Sequence, residues 1–365
     1  MAKAHRSSLR FEVAIMSRLM VGGVDFGQPL IRPMCSAGRG NAMAEKVAII
    51  GAGLAGAVCA RALADAGRRV CVFEKSGGTG GRLSTRRSAS GEFDHGAQYL
   101  TARGAAMGAL LARLADAGAI ASWTPDGKDR PGDWHVGLPG MSGAVKPLLA
   151  GLDVRLRTPV ETLRLAADAG VEVVTGDGAR HGFDRVIVTA PSPQAHALTG
   201  ALDARFDALG GIVYAPCWAA MVAFDRPLPD LPDLWRGADD APLALIARNG
   251  SKPGRTGETF VIHAGGAWSA RNLERPAGPV LEEMLAALSA HAKGVPAPVH
   301  AAAHRWRHAR VDAPLGTPFI ESACGRIAVC GDGMLGGRAE AAVDSADALV
   351  AHIVAGGGQA VPARP

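Results

Sequence analysis

The chain has 365 residues, 48% hydrophobic and 20% charged, a globular composition with room for one large domain or two ordinary ones. Its formal charge of +5 is concentrated in residues 1–42, which carry +4; the remainder is near neutral at +1, which removes the main electrostatic argument for nucleic-acid binding. No apolar run approaches the roughly 20 residues that span a bilayer, and the six cysteines (Cys35, Cys59, Cys71, Cys217, Cys324, Cys330) form no C-x-x-C pair, a pattern that fits a reducing cytoplasm better than a disulfide framework.

Residues 1–42 show no helical or strand period and read as an Arg-containing, acid-poor leader, with MAEKVAII opening the fold at Met43. Val47–Ile50 is a four-residue apolar run, as in a buried parallel strand. A helix over 54–67 and a strand over Arg69–Phe73 complete a βαβ unit. SGGTGGRLSTRR (76–87) is a basic, glycine-rich loop, and 104–118 suits a helix with Leu110, Leu111 and Leu114 on one face. From Val154 to Pro191 the pattern predicts three antiparallel strands (VRLRT, VETLRLAA, VEVVTGDGAR) and then a buried one (RVIVTAP). More strands follow over 212–264, and an amphipathic helix over 279–292 with Val280, Met284, Leu285 and Leu288 at helical spacing. Arg326–Cys330 is a last apolar strand that ends in Gly331–Asp332 before a helix over 338–354. Nucleotide-fold signals at the start, middle and end imply a discontinuous α/β domain interleaved with a second, sheet-containing one.

Gly51, Gly53 and Gly56 form G-x-G-x-x-G between strand and helix. The first allows the tight turn, the second lets backbone approach a pyrophosphate, and the third lets helix pack on strand. Glu74 lies eighteen residues past Gly56, where a carboxylate accepts hydrogen bonds from a ribose diol. The turn alone leaves open whether the dinucleotide is a nicotinamide coenzyme or a flavin. Gly80–Gly81–Arg82 adds a guanidinium suited to phosphate, which a nicotinamide-binding unit does not need. IAVCGDG (327–333) can bring backbone N–H groups and a carboxylate to the ribityl and phosphate part of a flavin dinucleotide, with the following helix aimed at the ring.

GAGLAG, FEK, GGTGGRLSTRR and FDHGAQYLTAR resemble the flavin-dependent amine oxidase superfamily. VGLPGMS (136–142), TAPSPQA (189–195), APCWAAMVAF (215–224), IARNGSKPGR (246–255), IHAGGAWS (262–269) and HRWRHAR (304–310) resemble the renalase-like oxidoreductases within it. The resemblance spans about 46–354 and implies an FAD-binding Rossmann-type domain of the glutathione-reductase kind, over 43–103, 151–200 and 304–355. An inserted α+β substrate domain with a mixed or antiparallel sheet would take 104–150 and 201–303, and a flexible tail 356–365. It implies non-covalent FAD held by Gly51, Gly53, Leu54, Ala55, Gly56, Glu74, Lys75, Gly81, Arg82, Leu83, Val160, Gly331, Asp332, Arg338 and Ala339. Val160 would meet adenine through its backbone, and Gly96, Ala97 and Gln98 would lie beside the flavin ring. The chain departs from the superfamily with Ala341 and Ala346 where glycines are usual, two methyls that could crowd the flavin, and with Arg338 in place of an aromatic residue. A guanidinium repels an ammonium substrate and suits a phosphate or carbonyl.

The implied activity is hydride transfer from 2- or 6-dihydro isomers of NAD(P)H to flavin N5, with O₂ reoxidising the flavin to give H₂O₂. Asn249, His263 and Arg338 are the candidates near the substrate. Two other readings stand beside it: an FAD enzyme for an amine or a carotenoid-like lipid, and a flavin-binding sensor or scaffold without turnover. His300, His304 and His308 would share a helix face, but HRWRHAR alternates like a strand and no metal is expected. Nucleic-acid and membrane partners are not expected.

Overall fold

The computed structural model describes residues 44–130, 132–166 and 170–356. The expectations for 1–42, and for the tail beyond 356, lie outside the described residues.

The first sheet has six strands in the order Phe319–Glu321, Ile327–Cys330, Arg185–Val188, Lys46–Ile50, Arg69–Phe73, Asp153–Arg155. All neighbours are parallel except the outermost Phe319–Glu321. Side chains alternate across a strand, so Val47, Ile49, Val72, Ile187 and Ala328 face one core and Ala48, Ile50, Phe73, Val186 and Val329 the other. The first core is closed by the helices Leu54–Asp65, Ala105–Asp116 and Ala339–Val354. The second is closed by an antiparallel meander, Val160–Leu165, Val171–Thr175 and Arg180–Phe183, and by Ala195, Phe206 and Leu209.

The structure alters two expectations here. At the start of VRLRT, the strand Asp153–Arg155 pairs parallel with Cys71–Phe73 instead of joining the meander. Half-exposed alternation looks alike in a sheet edge and a hairpin, and only the partner distinguishes them. Segment 104–150, allotted to the substrate domain, places Met107, Leu111, Leu114, Trp134 and Leu148 in the first core, beside the nucleotide-fold strands.

The second sheet is antiparallel, in the order Leu234–Arg236, Leu245–Arg248, Glu258–His263, Val213–Phe224, His300–Ala313. On one face Val222, Phe224, Phe260 and Ile262 bury Val280, Met284 and Leu288 of the helix Ala277–His291. On the other, Met221, Ala223 and Val261 pack against Phe93. His263 shares the parity of Val261 and so faces the same way. His304 and Trp306 lie opposite Ala219 and Cys217 in the long strand pair. HRWRHAR is therefore strand, and no metal-binding group of His, Cys, Asp or Glu occurs among the described residues.

Candidate functional site

A cleft of about 1860 Å³ runs between the two sheets. Ligand pockets usually measure roughly 300–1,000 Å³, so this one has space for a dinucleotide and a second molecule. One end is lined by Glu74, Lys75 and Val160, the middle by Gly51, Gly53, Arg82 and Asp332, and the other end by Gly96, Ala97, His263, Trp306 and Arg338.

The middle is built from close backbone approaches. Gly51 has φ +108°, a conformation open to glycine, and its N–H donates to the Phe73 carbonyl (2.8 Å). A Cβ on Gly56 would lie 2.0 Å from the Gly51 oxygen, so the helix Leu54–Asp65 rests directly on the turn. That helix has no side-chain cap and no acid in its first turn, and Gly53, Leu54 and Ala55 line the cleft. Uncapped N–H groups at a helix start suit an anion. Gly53 bridges to Gly80, and a Cβ on Gly81 would lie 3.3 Å from the Gly53 Cα, so the second glycine loop stacks on the first. Glu74 is buried, with its carboxylate pinned by the N–H groups of Ala52 (2.9 Å) and Ser76 (2.8 Å). An open glycine turn, an uncapped helix start and a fixed carboxylate along one cleft fit a flavin dinucleotide.

Leu83, Gly331 and Ala339 also line the cleft, and Lys75 reaches it while donating to Gln194 (3.1 Å). Arg82, expected on the pyrophosphate, holds Asp332 by two bonds of 2.7 and 2.5 Å. This pair ties the second glycine loop to the last strand. The expected crowding from Ala341 and Ala346 does not arise: neither lines the cleft, and Ala346 is buried in the first core. Glu340, in the same helix, accepts from the N–H groups of Arg103 (2.7 Å) and Gly104 (2.5 Å) at the start of the helix Ala105–Asp116. Burial pushes its pKa up, but these donors and the nearby Arg338 and Arg103 charges outweigh that, so it lies below the usual glutamate value.

Two residues stand elsewhere than expected. Gln98 is turned away from the cleft: its Nε2 donates to the carbonyls of Asp94 (2.6 Å) and Gly96 (2.9 Å), and its Oε1 accepts from Lys252 (2.9 Å). Asn249 is fully buried and does not line the cleft. Its Nδ2 donates to Glu92 O (2.8 Å), and its Oδ1 accepts from Asp94 N (3.3 Å) and Lys252 Nζ (3.2 Å). A buried amide needs such partners, and here they hold it in a structural position.

His263 does line the cleft. Its Nε2 lies 3.2 Å from the His95 carbonyl, to which it donates, leaving Nδ1 as an acceptor. Burial, and then the Lys252 and Arg236 charges, push its pKa down to about 4, so it is neutral at pH 7. His95 stacks on Trp306 (5.2 Å) and meets His304 edge-on (5.0 Å). Its pKa is likewise pushed down to about 4, by burial and then by His304 and Arg86. The unfolded chain protonates this histidine near 6.5 while the folded chain does not. Its share of stability is therefore present above pH 6.5 and lost as pH falls toward 4, a change on the order of 3 kcal/mol. Denaturant titrations of wild type and His95→Gln at pH 7 and pH 4.5 check this: wild type should lose more, and equal losses would refute it.

The residues missed by sequence reasoning lie behind this end of the cleft. Asp94, Lys252 and Arg255 have fully buried side chains and form one cluster, with Asp94 Oδ2 2.6 Å from Arg255 and 3.2 Å from Lys252. Thr85 Oγ1 (2.7 Å) and Met141 N (2.9 Å) donate to Asp94 Oδ1. The signal was Lys252 and Arg255 within IARNGSKPGR, a polar stretch between two buried strands.

Residues 49–114 match the NAD(P)-binding Rossmann-like domain, and residues 122–347 match the flavin containing amine oxidoreductase family. Renalase from Mus musculus is 27% identical over 293 residues, covering 73% of this chain and 85% of its own length. Cyclohexylamine oxidase from Brevibacterium oxydans IH-35A is structurally similar with a TM-score of 0.69 at 13% identity, over 86% of this chain and 99% of that one. Putrescine oxidase bound to putrescine gives 0.64 at 16% identity over the same shares. At such identities the structural likenesses establish the fold.

Proposed function

The chain belongs to the flavin containing amine oxidoreductase family and is an FAD-dependent oxidoreductase, and from that premise we propose that it oxidises 2- or 6-dihydro isomers of NAD(P)H and passes the electrons to O₂, giving H₂O₂. When bound, FAD supplies the two-electron acceptor for this chemistry. The Gly51–Gly56 turn, Glu74 and the Gly331–Asp332 segment would hold it non-covalently along the first sheet, and the second sheet would present the substrate.

The observation that carries this reading is the set of guanidinium groups at the cleft end. Arg236, Arg305, Arg307, Arg310 and Arg338 line it, each also paired with a carboxylate set behind the wall: Asp129, Glu274 (shared by Arg305 and Arg307), Asp312 and Glu340. Asp239, on the same wall, is occupied by the N–H groups of Gly266 (3.0 Å) and Ala267 (3.2 Å). Neither tyrosine lines the cleft: Tyr99 stacks on Trp134 (3.9 Å), and Tyr214 accepts from Ser192 N (3.2 Å). The guanidinium forks on this wall offer donors suited to a phosphate or a carbonyl, which an ammonium ion cannot accept from. A dihydropyridine that gives up hydride becomes an aromatic cation, so the substrate must mainly be positioned, and no general base is required. Neutral His263 offers Nδ1 to a carboxamide N–H, and Trp306 offers a flat face for a ring. The buried thiols of Cys59, Cys71 and Cys330 fit work in a reducing cytoplasm.

Anaerobic mixing of the holoprotein with 6-dihydro-NAD should bleach its yellow colour, and mixing with primary amines should not. Bleaching by amines, or by neither, would overturn the proposal.

A further inference from the structure

The Asp94 cluster is unbalanced. Its three side chains are fully shielded from solvent and carry two positive charges against one negative. Asp94 is the only carboxylate paired with either cation among the described residues. The geometry requires Lys252 to be protonated: its three N–H bonds point at three acceptors, Asp94 Oδ2, Gln98 Oε1 and Asn249 Oδ1. The indole of Trp123 lies 5.4 Å from the same Nζ, a further contact suited to a cation. Arg255 is held by the carbonyls of Gly137 (2.6 Å) and Pro253 (2.7 Å) as well as by Asp94. A surplus buried charge is costly unless an opposite charge lies within reach. Only Gln98 separates Lys252 from the cleft wall along this line: its Oε1 accepts from Lys252 and its Nε2 donates to the Gly96 carbonyl.

We infer that Asp94, Lys252 and Arg255 form the electrostatic counterpart of the reduced cofactor: their surplus positive charge stabilises the negative charge that the ring carries after taking up two electrons and one proton. This rests on the placement of the ring beside Gly96 and Ala97. Lys252 is a positioning residue in this scheme, acting across Gln98 without touching the cofactor. The groups that face it are Asp94 and Gln98 from the loop after Phe93, Asn249 and Arg255 from its own loop, Trp123, and His263, which is neutral at pH 7. Burial lowers the Lys252 pKa to about 8, with the Asp94 charge opposing that fall and Arg255 adding to it. Negative charge in the cleft raises it again. Above about pH 8, reduction of the cofactor should therefore draw one extra proton onto Lys252.

The test is an anaerobic redox titration of the holoprotein with dye mediators and no substrate, across pH 7 to 10, for wild type and Lys252→Met. In Lys252→Met at pH 7, the reduced-to-oxidised ratio at a fixed poise should fall about tenfold or more, the scale of one buried charge. An unchanged ratio in a variant that folds and holds FAD would overturn the inference, because a purely structural lysine would move the melting point alone. If the variant does not load FAD, the wild-type profile decides. Uptake rising from one proton per two electrons to two above about pH 8 supports the inference, and uptake constant at one overturns it. No substrate enters the titration, so a failed bleaching by 6-dihydro-NAD would leave this result standing.

Discussion

Replacing Gly56 with alanine is expected to give a protein that purifies colourless. The added Cβ would meet the Gly51 carbonyl oxygen at 2.0 Å and the Thr189 hydroxyl at 2.9 Å. Neither can retreat. The Thr189 hydroxyl is committed to Ile50 O (3.0 Å) and Gly51 O (3.2 Å), and Gly51 is tied to Phe73. The helix must therefore move outward and carry its uncapped N–H groups away from the cleft. Overpacking of this kind costs about 1–3 kcal/mol, and spent on the binding geometry that is roughly tenfold to 100-fold in FAD affinity. The ratio of visible to ultraviolet absorbance of the purified variant, and its Kd for added FAD, check this. A fully yellow variant would contradict it. Gly53→Ala provides the contrast. Its Cβ would have nothing nearer than the Gly81 Cα at 4.0 Å, and its φ of −75° is open to any residue. This variant should melt like wild-type apoprotein yet bind FAD weakly, because only a ligand lying against the turn would object to the methyl.

The difference between these glycines shows where the sequence was legible. The G-x-G-x-x-G turn, its strand and its helix are contiguous, so local spacing encodes their geometry. The last strand and helix were readable for the same reason, because IAVCGDG carries its own strand-to-helix transition. Gly96 was named for proximity to a ring, but its structural constraint was hidden: a Cβ there would lie 2.0 Å from the Arg82 oxygen, a contact between segments with no shared periodicity. The errors have a common cause. Asn249 and Gln98 are polar residues within family-like motifs, and polarity in a motif does not say whether a side chain faces a cleft or the back of its wall. The cluster that turns both inward joins residues more than 150 positions apart, Asp94 to Lys252 and Asp94 to Arg255. Such pairing is decided by how the two sheets dock. His263 was named from a family-like segment in the same way, and only the strand parity it shares with buried Val261 turns it toward the cleft.

Asp94→Asn should be the most destabilising single substitution in the described structure. The asparagine keeps the shape and one acceptor but removes the one carboxylate charge that, among the described residues, pairs with Lys252 and Arg255. Breaking a buried pair from one side leaves an uncompensated charge and typically costs about 3–5 kcal/mol, a large fraction of the roughly 5–15 kcal/mol that holds a domain folded. In wild type, burial pushes the Asp94 pKa up, but the Lys252 and Arg255 charges and the bonds from Met141 and Thr85 bring it below the usual aspartate value. Its contribution is therefore complete above about pH 3.8 and is lost as pH falls through the lowered value. The variant should behave oppositely at the alkaline end. Without Asp94 to oppose burial, Lys252 releases its proton more readily, so the stability deficit should shrink as pH rises toward and beyond about 8. Urea unfolding of wild type and variant at pH 7 and pH 9 measures both effects. A deficit under about 1 kcal/mol at pH 7 would mean that the two cations find compensation elsewhere. A deficit that does not change with pH would mean that Lys252 holds its proton in the folded variant as it does in wild type.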